Sequence, residues 1–157
     1  MKKGLLFLTL AMAILFTACS KEKSVEMSDK NDAENSWQFS LGGTEYKGLI
    51  DTAYLENFAN IEYMRIEGYT LDGTGQFFLG FGGLSLTVGD YYSPIADIVY
   101  AQDNALMIVA PVLDPTFKIV VTELTDTKVA GTFSGTVTFS ETGDPVNVTN
   151  GRFSARR

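Results

Sequence analysis

From Thr132 to Ser140 the chain alternates without a break. Phe133, Gly135, Val137 and Phe139 share one parity, and Thr132, Ser134, Thr136, Thr138 and Ser140 share the other. A helix would scatter these two sets around its circumference, whereas a strand sends successive side chains to opposite faces. A segment that holds period two over this length must lie in a sheet with one face buried.

The same signal recurs elsewhere. Trp37, Phe39 and Leu41 alternate with Gln38 and Ser40, and Gly42-Gly43 then supplies a two-residue turn before Thr44 to Ile50. Asn60 to Leu71, rich in Ile and Tyr, closes at Asp72-Gly73-Thr74-Gly75, and Phe77, Leu79 and Phe81 restart in phase. Gly80, Gly82 and Gly83 predict a bulge or bend at the end of that strand. Phe117, Ile119 and Val121 alternate up to a turn at Asp126-Thr127-Lys128. Phe153 has opposite parity to Val146 and Val148, so Asn150-Gly151 is expected to hold a bulge that returns it to the core face. Ala53 to Ala59 is expected to form a short helix, because Leu55, Phe58 and Ala59 lie three to four apart. Ala105 to Leu113 is continuously apolar and is expected to be a strand buried on both faces, with Pro111 ending it at a sheet edge. Strand-like runs at short spacing, with no long helical pattern, point to an all-β fold. It is read as an antiparallel β-sandwich of roughly 8–9 strands, with a calycin-like β-barrel as the alternative.

The first twenty residues carry a different message. Lys2 and Lys3 precede an apolar run from Leu5 to Phe16, and Thr17-Ala18 lead into Cys19, the one cysteine of the chain. The run is about 12 residues, long enough for a signal core and short of the ~20 that a spanning helix needs. This segment resembles the lipobox of bacterial lipoproteins, with Phe16 where Leu is usual. The resemblance implies cleavage before Cys19 and acylation of its thiol, and Ser20 resembles the outer-membrane sorting pattern. Residues 1–18 are thus expected to be a lipoprotein signal peptide. Residues 19–35, polar and without apolar periodicity, are expected to be the acylated cysteine and a flexible tether. Residues 36–157 are expected to be one domain. Which side of the outer membrane it faces is not written in the sequence.

Charge and composition narrow the function. The full chain has 12 Lys+Arg against 19 Asp+Glu, and loss of Lys2 and Lys3 would leave a mature net charge of −9. Such a surface repels phosphates, so no nucleic-acid partner is expected, and membrane attachment is assigned to acyl chains on Cys19. Histidine is absent. That removes the commonest general base and the commonest transition-metal ligand together. No catalytic residues, metal site or cofactor are expected, and the chain is read as not an enzyme. Asp97, Asp103, Asp114, Asp126 and Asp144 stand singly near expected turns, where capping explains them.

The strings Val121-Thr122-Glu123-Leu124-Thr125-Asp126, Gly131-Thr132-Phe133-Ser134 and Val146-Asn147-Val148-Thr149-Asn150-Gly151-Arg152-Phe153 resemble the carboxy-terminal signature of small uncharacterised lipoproteins of the Bacteroidota. The resemblance covers about the last forty residues and the lipobox start. It implies a β-sandwich lipoprotein of the outer membrane and brings no catalytic residues with it. Asp51-Thr52-Ala53 also resembles the O-glycosylation acceptor motif of that phylum, which makes Thr52 a candidate acceptor.

A partner or ligand surface is sought among the aromatics: Trp37, Tyr54, Tyr63, Tyr69, Tyr91, Tyr92 and Tyr100. Tyr91 and Tyr92 are the leading pair, because neighbours on a strand point to opposite faces and one must leave the core. The expected role is a non-catalytic binding or structural module with an unknown protein or glycan partner. The alternative is a calycin-type binder of a small lipid or glycan.

Overall fold

The computed structural model describes residues 34–103, 105–110 and 116–157. The signal segment, Cys19, the tether up to residue 33, Pro111, Leu113 and Asp114 lie outside the described residues. Residues Asp32–Arg157 make one compact unit.

Ten antiparallel strands form this unit: β1 (Ser36–Leu41), β2 (Thr44–Phe58), β3 (Ile61–Thr70), β4 (Gly75–Gly83), β5 (Gly89–Tyr92), β6 (Ala96–Gln102), β7 (Ala105–Val109), β8 (Lys118–Leu124), β9 (Lys128–Phe139) and β10 (Pro145–Arg156). The fold is all-β, and its hydrogen bonds choose between the two architectures left open by the sequence. They run β10-β1-β2-β3-β4-β6-β7-β9, and β9 pairs back to β10, so eight strands close into a barrel. Closure at β7 is brief, with Ile108↔Phe139 and Val109↔Thr138 only. Lower on the same edge of β9, β8 takes over from Lys118↔Ser134 to Leu124↔Val129, and β5 adds outside β8. A closed ring removes most of the unpaired edge that an open sheet would expose.

The antiparallel order gathers the turns at two ends. One end, the mouth, carries the turns at 42–43, 71–74, 103 and 140–144. The far end carries the β2–β3 turn, the segments flanking β5 and the β8–β9 turn. The chain also enters the barrel there: Ile50 N–H donates to Asn35 O, and Glu34 pairs with Arg156 at 2.6 Å.

The interior is filled by side chains, as in other small barrels. Trp37 stacks on Phe77 with centroids 4.5 Å apart and planes 8° from parallel. Phe39, Tyr46, Tyr100, Phe133 and Phe153 continue the aromatic column. Glycines make the room. A Cβ on Gly48 would lie 2.7 Å from Trp37 Cζ2, one on Gly68 2.8 Å from Trp37 Nε1, and one on Gly151 2.5 Å from Phe133 Cδ2. Large rings laid over bare backbone give the dense packing that a narrow barrel demands.

Most of the expected strands are present with the expected faces. Phe117, Ile119, Val121, Phe133 and Val137 are buried. The bulge at Asn150-Gly151 is present as a register shift between Val148 and Gly151, with Asn150 at φ 55°, and Phe153 returns to the core. Three expectations need correction. Ala53 to Ala59 is no helix: through Phe58 it belongs to β2, paired residue for residue with β3. Tyr54 to Phe58 are all exposed, so their spacing reports no buried face, and the β2–β3 turn at Ala59-Asn60, both at positive φ, fixes the hairpin. Within Ala105 to Leu113, the strand ends at Val109, and Met107 is only partly buried. The glycines of β4 make no bulge, since pairing with β3 runs unbroken to Gly83. Close approach by a neighbouring ring accounts for Gly80 and Gly82.

Candidate functional site on the outer face of β2–β3–β4–β6

Residues of odd number on β3, and of even number on β4, point away from the barrel interior. Register then sets Tyr54, Arg65, Gly80 and Asp97 in one row across four strands, with Thr52, Glu67, Phe78 and Val99 in the next. Because Gly80 and Gly82 lack side chains, the outer face sinks along β4. The resulting trough, of about 320 Å³, is lined by Tyr63, Arg65, Phe78, Gly80, Asp97 and Val99 together with Leu79.

The ring of Tyr63 lies over the glycines. A Cβ on Gly82 would sit 2.7 Å from Tyr63 Cδ2, and one on Gly80 would collide with the Tyr63 hydroxyl. Tyr63 Oη donates to Asp97 Oδ2 at 2.8 Å. Asp97 is exposed as a residue, but its Oδ1 lies against Gly80 of β4 and its Oδ2 against the Tyr63 hydroxyl. Desolvation therefore pushes its pKa up, opposed by the Tyr63 hydroxyl and the Arg65 charge. The Tyr63 phenol is pushed up as well, by burial first and then by the adjacent carboxylate. On the other wall, Arg65 Nε donates to Glu67 Oε1 at 3.0 Å, and Tyr54 Oη donates to the same oxygen at 3.1 Å. Glu56 stands 3.9 Å from the Arg65 guanidinium.

The raised pKa of Asp97 fixes a sign. The folded chain holds this proton more tightly than the unfolded chain, so ionisation of Asp97 opposes folding. Stability from this group is greatest below the ordinary aspartate pKa, falls as pH rises through the raised value, and is then constant. In urea titrations, the midpoint of Asp97→Asn relative to the parent chain is expected to rise between pH 3 and pH 7. An unchanging difference would show that the carboxylate is not desolvated.

A second depression, of about 390 Å³, lies at the barrel mouth among Glu45, Tyr46, Lys47, Thr70, Asp72, Thr74, Tyr100 and Gln102, with Leu71 at its rim. Tyr46 and Tyr100 form its floor with centroids 5.1 Å apart, and burial pushes the Tyr100 pKa up to about 12. Asp72 accepts from Thr70 Oγ1 and from both N and Oγ1 of Thr74, which holds its pKa down.

The sequence-derived candidates fall in several places. Tyr91 is 7% exposed, packs on Phe81 and donates its hydroxyl to Thr87 O at 2.6 Å. It is a core residue, and of the pair only Tyr92, 45% exposed, faces outward. Trp37 and Tyr100 are also interior. Tyr54, Tyr63 and Tyr69 share the outer face that carries the trough. Thr52 is partly buried at the register shift of β2, beside Ala53 in the core. Asp97 is not a turn cap but the second residue of β6, where its carboxylate accepts from the Tyr63 hydroxyl. Its partners come from two other strands, Tyr63 and Arg65 on β3 and Gly80 on β4, and the one usable sequence signal is the Gly80-x-Gly82 spacing. Among the described residues, no group of three or more acids or Cys gathers to hold a metal ion. No protein-family model matches the chain, and no curated protein or solved structure matches it either.

Proposed function

We propose that this chain is a lipid-anchored envelope protein, like the small Bacteroidota lipoproteins it resembles, and that it works as a non-catalytic binding module for a glycan. The lipobox-like start and Cys19 support the anchor. The outer trough supports the ligand class, and the row Tyr54–Arg65–Gly80–Asp97 is the observation that carries it. Planar carboxylate and guanidinium groups suit the paired hydroxyls of a sugar, and the exposed faces of Phe78 and Tyr54 suit its C–H surface. A volume of about 320 Å³ is at the small end of ligand sites, enough for one or two sugar rings.

The small-molecule alternative has one observation in its favour, the depression over Tyr46 and Tyr100. With the barrel interior filled, a ligand there would rest on the mouth rather than enter the barrel.

The test is a neutral and acidic oligosaccharide array probed with the mature chain carrying Cys19→Ser. Binding is expected, and Arg65→Ala is expected to weaken it about tenfold by removing charged hydrogen bonds at an exposed position. Binding unaffected by Arg65→Ala, or none to any oligosaccharide, would overturn the glycan reading.

A further inference from the structure

The two ends of the barrel differ in chemistry. Each turn at the mouth lies beside or contains an acid: Glu45, Asp72, Asp103, Glu141 and Asp144. At the far end the charges gather on one side, at Glu34, Arg156 and the β8–β9 turn, while on the other side residues 57–61 (Asn-Phe-Ala-Asn-Ile), 82–89 (Gly-Gly-Leu-Ser-Leu-Thr-Val-Gly) and 93–96 (Ser-Pro-Ile-Ala) contain no charged residue, in a chain that is 20% charged. Large apolar side chains project there. Phe58 is 79% exposed and Leu84 is 85% exposed, and Ile61, Val88 and Ile95 are exposed beside them. Several of them are neighbours. Ile61 Cγ2 lies 3.4 Å from where a Gly82 Cβ would be, Gly82 N–H donates to Ile95 O at 2.9 Å, and Leu84 follows Gly83, the partner of Glu62.

The chain enters the barrel at this same end, at Glu34 and Asn35 beside Ile50. From Ile50, β2 runs on for eight residues to Phe58, about 26 Å at 3.3 Å per residue. The sixteen residues from Cys19 to Glu34 make fifteen steps, at most roughly 50 Å when fully extended. Acyl chains on Cys19 could therefore lie in a bilayer while the tip of the β2–β3 hairpin rests on its surface. A shorter link would hold the tip away.

We propose that the rim formed by Phe58, Ile61, Leu84 and Ile95 docks on the lipid bilayer that holds the anchor, with the acidic mouth pointing away from it. This rests on the lipid-anchored reading of Cys19. Exposed apolar side chains at a protruding tip partition into the headgroup–acyl boundary, Glu62 is turned back onto the Leu86 N–H rather than outward, and acids at the opposite end are repelled by anionic headgroups. The acyl chains supply the attachment and the rim fixes the orientation.

The experiment uses the acylated full mature chain in phosphatidylcholine vesicles, with and without lipids brominated on their acyl chains. Phe58→Trp and Leu84→Trp each add an indole at an exposed position, and native Trp37 serves as the internal control because the barrel encloses it. The added indoles are expected to emit to the blue of their position in water and to lose at least half their intensity to brominated lipid, with Trp37 unaffected in the parent chain. Vesicle-bound protein whose added indoles emit as in water would overturn the docking and leave the anchor standing. A blue shift that follows protein concentration without bromine quenching would also overturn it, and would assign the rim to a second copy of the chain. Protein lacking the acyl mass on Cys19 and failing to stay with vesicles would overturn both readings.

Discussion

Replacing Trp37 with alanine is expected to destabilise the barrel by about 3–5 kcal/mol, the range for deleting a large buried aromatic. Trp37 is 1% exposed and touches the interior on several sides. It stacks on Phe77, meets Phe39 and Tyr100 with centroids 5.8 Å away, and donates Nε1–H to Leu49 O at 3.2 Å. Its ring also fills the space over Gly48 and Gly68, where no side chain exists to relax inward. The strands on either side are held in a closed hydrogen-bonded ring, so the cavity cannot collapse cheaply. Since the substitution removes the fluorophore, urea unfolding should be followed by far-ultraviolet circular dichroism. A loss below about 1 kcal/mol would mean that the glycine-backed stack is not the centre of the core.

Phe133→Ala is the second large effect, again about 3–5 kcal/mol. Phe133 links the aromatic column to the closing pair of strands. Its ring is 6.0 Å from Phe39, 5.9 Å from Phe77 and 6.5 Å from Phe153. It also covers Gly151 on β10, so its removal opens a void along the β9–β10 seam that closes the barrel. Faster amide exchange at Gly151 and Phe153 than at Met64 and Ile66 on the far wall should accompany the loss. Equal exchange in both places would place Phe133 outside the seam.

Parity made much of this fold legible. The faces of β9, the hairpin at Gly42-Gly43 and the bulge at Asn150-Gly151 follow from period two and turn chemistry, because burial on one face penalises any slip of register. Ala53 to Ala59 misled because that half of β2 has exposed apolar residues and, among the described residues, pairs only with β3. Its side chains are spaced by neither a buried face nor a helix. Barrel closure was a choice between two architectures, since β9–β10 pairing suits either, and the β4–β6 ladder skips β5. The trough was hidden for the same reason. Tyr63 and Asp97 are 34 residues apart and meet only through β4. Gly80 and Gly82 looked like weakness in a strand, whereas they are the floor beneath a tyrosine ring. Tyr91 and Tyr92 face opposite ways, as neighbours on a strand must, but parity alone does not say which one faces in.

The most direct test of the ligand assignment is an amide chemical-shift titration of the mature chain carrying Cys19→Ser with an oligosaccharide selected on the array. Shifts are expected to cluster at Tyr63, Arg65, Gly80 and Asp97, with Glu45, Thr70, Asp72 and Gln102 unmoved. Shifts gathered at those mouth residues, or none on either surface, would contradict it.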